Sequence, residues 1–271
     1  MRFHPPATVR RLLWRIGRKL YTYARGEGPN DPRTNGEYWL LQRVLEGSTD
    51  ARVLLDIGAN RGNWTAEALR LGPPGDLHVH AFEPSLATRS VLTARFAEST
   101  AVSVQAFALS DILGEATFYT REDGAGTNSL SPTSGPNAEA TRVTTIDEFL
   151  CRSGIKSVAM AKIDTEGFDF LVLRGAQKAL QGGRMEIVQF EYNWRWLLNH
   201  ACLRDVFEFI ADKTYRLGKL VGTGLQLHDR WHAELDRFFE TNYVLIRTDS
   251  PLCALGSTVQ FDASNVGISV P

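Results

Sequence analysis

Cysteine is scarce in this 271-residue chain, which has only Cys151, Cys202 and Cys253. Three thiols so far apart exclude a disulfide framework and a zinc knuckle, and they read as reduced thiols of a cytoplasmic protein. Long apolar runs are lacking as well. None approaches the length of a bilayer span, and the first residues show no apolar core or cleavage site of a secretory leader. Net charge is almost absent, with 30 Lys and Arg against 31 Asp and Glu. That balance excludes the basic surface that broad nucleic-acid binding requires. Histidine offers no ligand set: His78 and His80 share a strand face and read as a buried pair, while His228 and His232 have no third partner.

What remains is an ordinary globular composition, 43% hydrophobic and 23% charged, enough for one enzyme-sized domain with a small appendage. The appendage is taken as residues 1–48 and the domain as residues 49–271. Within residues 9–26, Arg10, Arg11, Arg15, Arg18, Lys19 and Arg25 interleave with Leu12, Leu13, Trp14, Ile16, Leu20, Tyr21 and Tyr23. This basic amphipathic helix either packs its apolar stripe on its own domain or lies on an anionic membrane surface. From Val53 onward strand and helix signals alternate, which implies a parallel doubly wound sheet. Strands are expected at 77–82, 102–109, 114–120, 158–163, 185–190, 215–221 and 243–247, with a doubtful one at 225–228. Helices are expected at 63–71, 85–97, 169–180 and 203–213, and a capping box at Thr145 to Glu148 opens another that ends near Gly154.

The first strand, Val53 to Leu55, is uninterrupted and β-favouring, and it runs through Asp56 into Gly58-Ala59-Asn60-Arg61-Gly62. Gly58 and Gly62 permit dihedrals and a ligand approach that a Cβ obstructs. The following helix turns its free N–H groups toward any anion held there. A dinucleotide fingerprint needs glycine where Asn60 stands. Asp56 favours a cationic group, and Glu83, at the tip of the next strand, can accept both hydroxyl protons of a ribose. Ammonium, carboxylate, sulfonium and ribose together describe S-adenosylmethionine. Two rivals stay open: an NAD-dependent oxidoreductase, which shares the sheet and Glu83 but lacks the glycine, and a non-catalytic module that binds the same cofactor.

In such sheets chemistry sits at the carboxyl ends of the strands. Here those ends are acidic. One reads Lys162-Ile163-Asp164-Thr165-Glu166-Gly167, another Glu191-Tyr192-Asn193. N-capping accounts for Asp169, but not for Asp164, Glu166 and Glu191.

The ordered set Leu55 to Gly62, Phe82-Glu83-Pro84, Ala108-Leu109-Ser110-Asp111 before Gly114, Asn128-Ser129-Leu130, Thr144 to Asp147 and Lys162 to Gly167 resembles the FkbM-type S-adenosylmethionine-dependent methyltransferases over about residues 52–248. The resemblance implies a Rossmann-like class I methyltransferase fold. That fold has a mostly parallel seven-stranded sheet with helices on both faces and a reversed last strand, which 243–247 can supply. It implies O-methylation of a sugar or other hydroxylated metabolite, and the acceptor expected is a small hydroxylated molecule such as a sugar or a glycolipid. It also implies that Asp56, Gly58, Ala59, Asn60 and Gly62 form the methionine loop, that Glu83 holds the ribose, and that Ser110 and Asp111 line the adenine. Lys162, Asp164 and Glu166, within the Lys162 to Gly167 motif, then form the catalytic rim, to which the strand-tip acid Glu191 is added from its position.

A hydroxyl must lose its proton to accept a methyl group, so a general base is needed. Asp164 or Glu166 can serve directly, or Asp164, Glu191 and Asn193 can hold a Mg²⁺ that acidifies the hydroxyl. For the acceptor, the turn-rich stretch Arg121 to Arg142 reads as a lid carrying Asn128 and Ser129. Tyr192, Asn193 and Trp194 offer aromatic faces beside an amide, which suits a sugar.

Overall fold

Neighbouring residues of a strand face opposite sides of its sheet, and in the central strands of this chain both sides are apolar. The computed structural model describes residues 5–47, 52–121 and 128–270. In chain order it contains α1 (Ala7–Ala24), α2 (Glu37–Gly47), β1 (Arg52–Ile57), α3 (Asn63–Leu71), β2 (Leu77–Phe82), α4 (Leu86–Arg95), β3 (Val102–Gln105), β4 (Ala108–Leu109), β5 (Gly114–Thr120) and β6 (Asn137–Thr144). There follow α5 (Ile146–Arg152), β7 (Val158–Ile163), α6 (Asp169–Arg174), α7 (Gln177–Gln181), β8 (Met185–Tyr192), α8 (Leu203–Ile210), β9 (Tyr215–Val221), β10 (Gly224–His228), β11 (Thr241–Arg247), β12 (Gly256–Phe261) and β13 (Gly267–Ser269). Leu54, Met160 and Ile187 pack on Leu40 and Leu41 of α2 and on Trp64 and Ala68 of α3. Their neighbours Leu55, Ala161 and Val188 pack on Ile146, Leu173, Leu180 and Val206 of α5 to α8. Helices therefore cover both faces, as α/β layering requires.

The large sheet runs β13-β12-β10-β9-β11-β8-β7-β1-β2-β3. From β3 to β8 every pairing is parallel, and β11 lies antiparallel between β8 and β9. The seven strands from β3 to β9 thus make the Rossmann-like class I arrangement with its reversed last strand. The expected count of seven is corrected to ten. β10 turns back on β9 through a tight turn, and β12 and β13 extend that edge.

Three further departures have local causes. The expected strand 102–109 divides, because β3 pairs with β2 whereas β4 leaves to pair with β6 in a separate three-stranded sheet, β4-β6-β5. The expected lid is shorter than 121–142, because 137–144 forms β6, paired antiparallel with β5 along its length; the stretch 122–127 lies outside the described residues. The helix expected over 169–180 breaks at Gly175. A Cβ there would sit 2.0 Å from the carbonyl oxygen of Ser110. The break frees the N–H groups of Lys178 and Ala179 to donate to the Asp147 carboxylate, at 2.9 and 2.8 Å.

Capping also differs in detail. Thr145 Oγ1 caps α5 by accepting from the Glu148 N–H at 3.0 Å, but the Glu148 carboxylate pairs with Arg152 rather than turning back. Asp169 is the first residue of α6, not its cap, and its buried carboxylate accepts from the Gly167 N–H. Of the histidines, His78 donates to or accepts from Ser103, while His228 and His232 both stack on Phe261.

Since Asp147 alone satisfies two orphan donors at the start of α7, Asp147→Ala should lower unfolding free energy by about 1–2 kcal/mol. Urea denaturation of the two proteins measures this, and an unchanged midpoint would show that the caps contribute nothing.

Candidate active site

The carboxyl ends of β1, β2, β7 and β8 open onto one cavity of about 450 Å³. Its floor is the loop after β1. Gly58 (φ 83°) and Asn60 (φ 49°) turn the chain through left-handed conformations, so that the N–H groups of Gly58 and Ala59 both donate to the Phe82 carbonyl. The tips of β1 and β7 come so close that a Cβ on Gly58 would lie 1.9 Å from the Asp164 carbonyl oxygen. Glycine is required there by the neighbouring strand as much as by any ligand. Gly62 (φ 76°) has a different cause: a Cβ would strike Phe96 and Leu92 of α4, at 2.5 and 2.6 Å, so it permits helix packing and does not line the cavity.

Two buried carboxylates stand on this floor with capacity to spare. Asp56 is fully buried and accepts from Thr65 Oγ1 at 2.6 Å, while its Oδ1 has no partner. Glu83 accepts the Asn60 N–H at 3.0 Å on Oε2 and the Ser85 N–H at 2.9 Å on Oε1, which leaves roughly half of its lone-pair sites for hydroxyl donors. Burial, only partly offset by those N–H groups, pushes Glu83 up to about 7. Trp64, also lining the cavity, has a buried indole N–H without a partner. Phe107, Ala108 and Leu109 complete the wall.

The third group comes from β7. Lys162 is buried, and its Nζ donates to Asp164 at 2.9 Å. Burial opposes its charge, but Asp164, Glu37 and Asp56 together hold the ammonium well above its ordinary value. One cation thus stabilises carboxylates from three elements. Glu166 follows in a left-handed conformation (φ 56°) ahead of Gly167 (φ 102°), a sharp turn that aims its side chain at Arg195, 2.8 Å away. Burial and the nearby Asp164 push Glu166 up to about 8, against the pull of Arg195. Glu191, at the end of β8, accepts from Asn30 Nδ2 at 2.9 Å and Asn193 Nδ2 at 2.8 Å. Burial, then Asp164 and other carboxylates, raise it well above the usual range.

Asp56, Gly58, Ala59, Asn60, Glu83, Asn128, Ser129, Lys162, Asp164, Glu166 and Glu191 therefore share one cavity. Six expected residues do not line it. Ser110 and Asp111 lie past the wall, where Asp111 pairs with Arg174 at 3.2 Å; Phe107 to Leu109 occupy the edge expected of them. Tyr192 is core, its ring against Trp196, Phe238 and Tyr243 and its hydroxyl on Asp236. Trp194 is exposed, with the Arg195 guanidinium over its ring. Asn193 turns its carbonyl oxygen to the Arg195 N–H at 2.8 Å and its nitrogen to Glu191. The three side chains named for Mg²⁺ are thus each engaged by other groups: Asn193 Oδ1 accepts from the Arg195 N–H, Glu191 from two amides, and one oxygen of Asp164 from the Lys162 ammonium. No metal-holding cluster occurs among the described residues.

The residues that pattern reading missed come from before β1. Asn30, which also reaches Glu240, closes the cavity beside Glu191. Glu37 is buried and accepts from Gln189 Nε2, which also donates to Asn242. Asn30 sits in a turn and Glu37 opens a short helix, so neither carries a periodic signal. Only their polarity beside apolar Leu40 and Leu41 hinted at a role.

The model of the methyltransferase FkbM domain matches residues 56–217, more than half of the chain. The chain belongs to this family and carries its methyltransferase domain, as the ordered motifs implied, which sets the nicotinamide oxidoreductase aside. Among solved structures it is similar to a methyltransferase FkbM from Methylobacillus flagellatus, with 13% identity, TM-score 0.46 and coverage of 86% of this chain. This chain spans 59% of the length of that protein. It is also similar to the O-methyltransferase TomG of Streptomyces achromogenes, solved with S-adenosylmethionine, at 15% identity and TM-score 0.43, covering 78% of this chain and 79% of that one. An rRNA methylase from Streptococcus thermophilus matches at 12% identity and TM-score 0.41, covering 77% and 93%. No curated protein matches the chain.

Removing the buried cation leaves Asp56, Asp164 and Glu37 facing one another. Lys162→Met should cost about 3–5 kcal/mol of stability. The loss should shrink as falling pH protonates the acids, and Glu37→Gln should restore part of it in a double-mutant cycle. Unfolding curves of the four proteins decide this; a Lys162→Met protein as stable as the parent would refute the charge balance.

Proposed function

We propose that the chain is an S-adenosylmethionine-dependent O-methyltransferase acting on a hydroxyl of a sugar or another small hydroxylated metabolite, without a metal. The observation that carries this reading is the pair of half-satisfied buried carboxylates, Asp56 and Glu83, in the cavity that also holds Glu166. Asp56 Oδ1 suits the donor's ammonium, the Trp64 N–H its carboxylate, and the open sites of Glu83 its two ribose hydroxyls. The aromatic wall at Phe107 suits the adenine face. When bound, S-adenosylmethionine supplies a methyl group on a positively charged sulfur, ready for in-line displacement.

The chain's own residues then have two tasks. The first is alignment of the acceptor oxygen with that methyl, which can recover several kcal/mol of the barrier. Asn30, Asn128 and Asp164 line the cavity and offer hydrogen bonds to a polyhydroxylated acceptor. The second is proton removal. Asp164 is committed to Lys162, and burial raises Glu191 well above the usual carboxylate range, which favours its protonated form. Glu166 has one oxygen free of Arg195 and a basicity near physiological pH, where a general base is most effective. With the donor bound, Glu166 would take the hydroxyl proton as the acceptor oxygen formed its bond to the methyl carbon and the methyl–sulfur bond broke with its electron pair left on sulfur.

Transfer from labelled S-adenosylmethionine to a panel of sugars and polyols tests this. Turnover should rise with pH through a midpoint near about 8 before it levels off, because the base must be deprotonated. Glu166→Gln should lower kcat by about 10²–10⁴ and abolish that limb, with donor affinity unchanged. A Glu166→Gln enzyme with full activity would move the base elsewhere, and transfer only to a macromolecule would overturn the acceptor class.

A further inference from the structure

Among the described residues, helix α1 is held to the domain by its last turns. The Tyr21 hydroxyl donates to Glu234 at 2.5 Å, Arg25 pairs with Glu234 at 2.8 Å, and Arg18, Tyr21 and Arg25 face the Phe239 ring. Half a turn around the helix from that contact, Val9, Leu12, Leu13, Ile16, Leu20 and Tyr23 form one continuous apolar stripe. None of it is covered: Leu12 is 57% exposed, Leu20 65% and Tyr23 84%. Of the two readings open from the sequence, packing of the stripe on its own domain is therefore not what the structure contains.

We propose that α1 lies in the plane of an anionic lipid bilayer, with this stripe among the acyl chains. The charge pattern selects that occupant. The 18 residues of α1 include Arg10, Arg11, Arg15, Arg18 and Lys19 and not one acid, in a chain whose total charge is -1. Arg10 on one side and Arg15 and Lys19 on the other border the stripe, where their guanidinium and ammonium groups meet headgroup phosphates while their stems cover apolar surface. A second copy of the helix on the same stripe would bring two such cationic borders together at a cost. No described helix is long and apolar enough to cross a membrane, so an in-plane orientation is the one that buries the stripe. The segment that follows α1 leads within a few residues to Asn30 at the cavity, so anchoring α1 also brings the cavity close to the lipid surface.

The test is co-sedimentation of the full chain with vesicles of phosphatidylcholine and phosphatidylglycerol, against vesicles of phosphatidylcholine alone. It reads binding and not turnover, so its failure leaves the catalytic reading standing. Capture should require the anionic lipid and weaken as salt is raised. Leu13→Asp with Leu20→Asp should lower partitioning at least about tenfold per leucine, and Arg10→Gln with Arg15→Gln about fivefold per charge removed. These side chains are exposed, so unfolding midpoints should match the parent. No capture by anionic vesicles, equal capture by neutral ones, or unchanged capture of the leucine variant would each overturn the proposal. A stable dimer that the leucine variant dissociates would assign the stripe to a second copy and overturn it as well.

Discussion

The cavity depends on one buried cation. Lys162 sits on the inner strand β7 and its ammonium is shared among Asp164, Glu37 and Asp56, which come from the tip of β7, from α2 and from β1. Carboxylates gathered at one sheet edge repel one another, and burial multiplies that repulsion. A cation among them lets the rim remain both acidic and closely packed. The same packing brings the tips of β1 and β7 to backbone contact at Gly58, which fixes where Asp56, Glu83 and Glu166 stand relative to each other.

Around that cation the acids fall into different electrostatic settings. Asp164 is matched by Lys162, Glu83 is steadied by two backbone N–H groups, and Glu166 is pushed up by burial with only Arg195 to oppose it. Similar side chains thus meet different partners, which is how one rim can offer both a ligand-binding carboxylate and a group to accept a proton. The segment before β1 completes this arrangement. It supplies Asn30 to Glu191 and Glu37 to the Lys162 cluster, and it is continuous with α1, so ligand cavity and exposed amphipathic helix share a single stretch of chain.

Much of the fold was legible because its signals are local. The ranges 63–71, 77–82, 114–120 and 158–163 coincide with α3, β2, β5 and β7 to the residue, as uninterrupted apolar or periodic segments should. The misses were settled at longer range. The division of 102–109, the break at Gly175 and the pairing of 137–144 depend on which strand or carbonyl lies opposite, and no local pattern reports that. For the site, acids at strand tips were visible, because a charge at the end of an apolar run is conspicuous. Tyr192 was misplaced because aromatic residues beside an amide look alike whether they face a ligand or, as here, the core. That the two amide atoms of Asn193 face Arg195 and Glu191 likewise depends on the tertiary structure and has no local signal.

The central claim is that the loop after β1, together with Glu83, forms a site for S-adenosylmethionine. Titration calorimetry across pH, with S-adenosylmethionine and with NAD, tests it most directly. S-adenosylmethionine should bind one to one, with affinity steady above about pH 8 and falling as Glu83 takes up a proton below about 7, while NAD should give no heat. Saturable binding of NAD in its place, or donor affinity that ignores both pH and the removal of the Glu83 carboxylate, would contradict it.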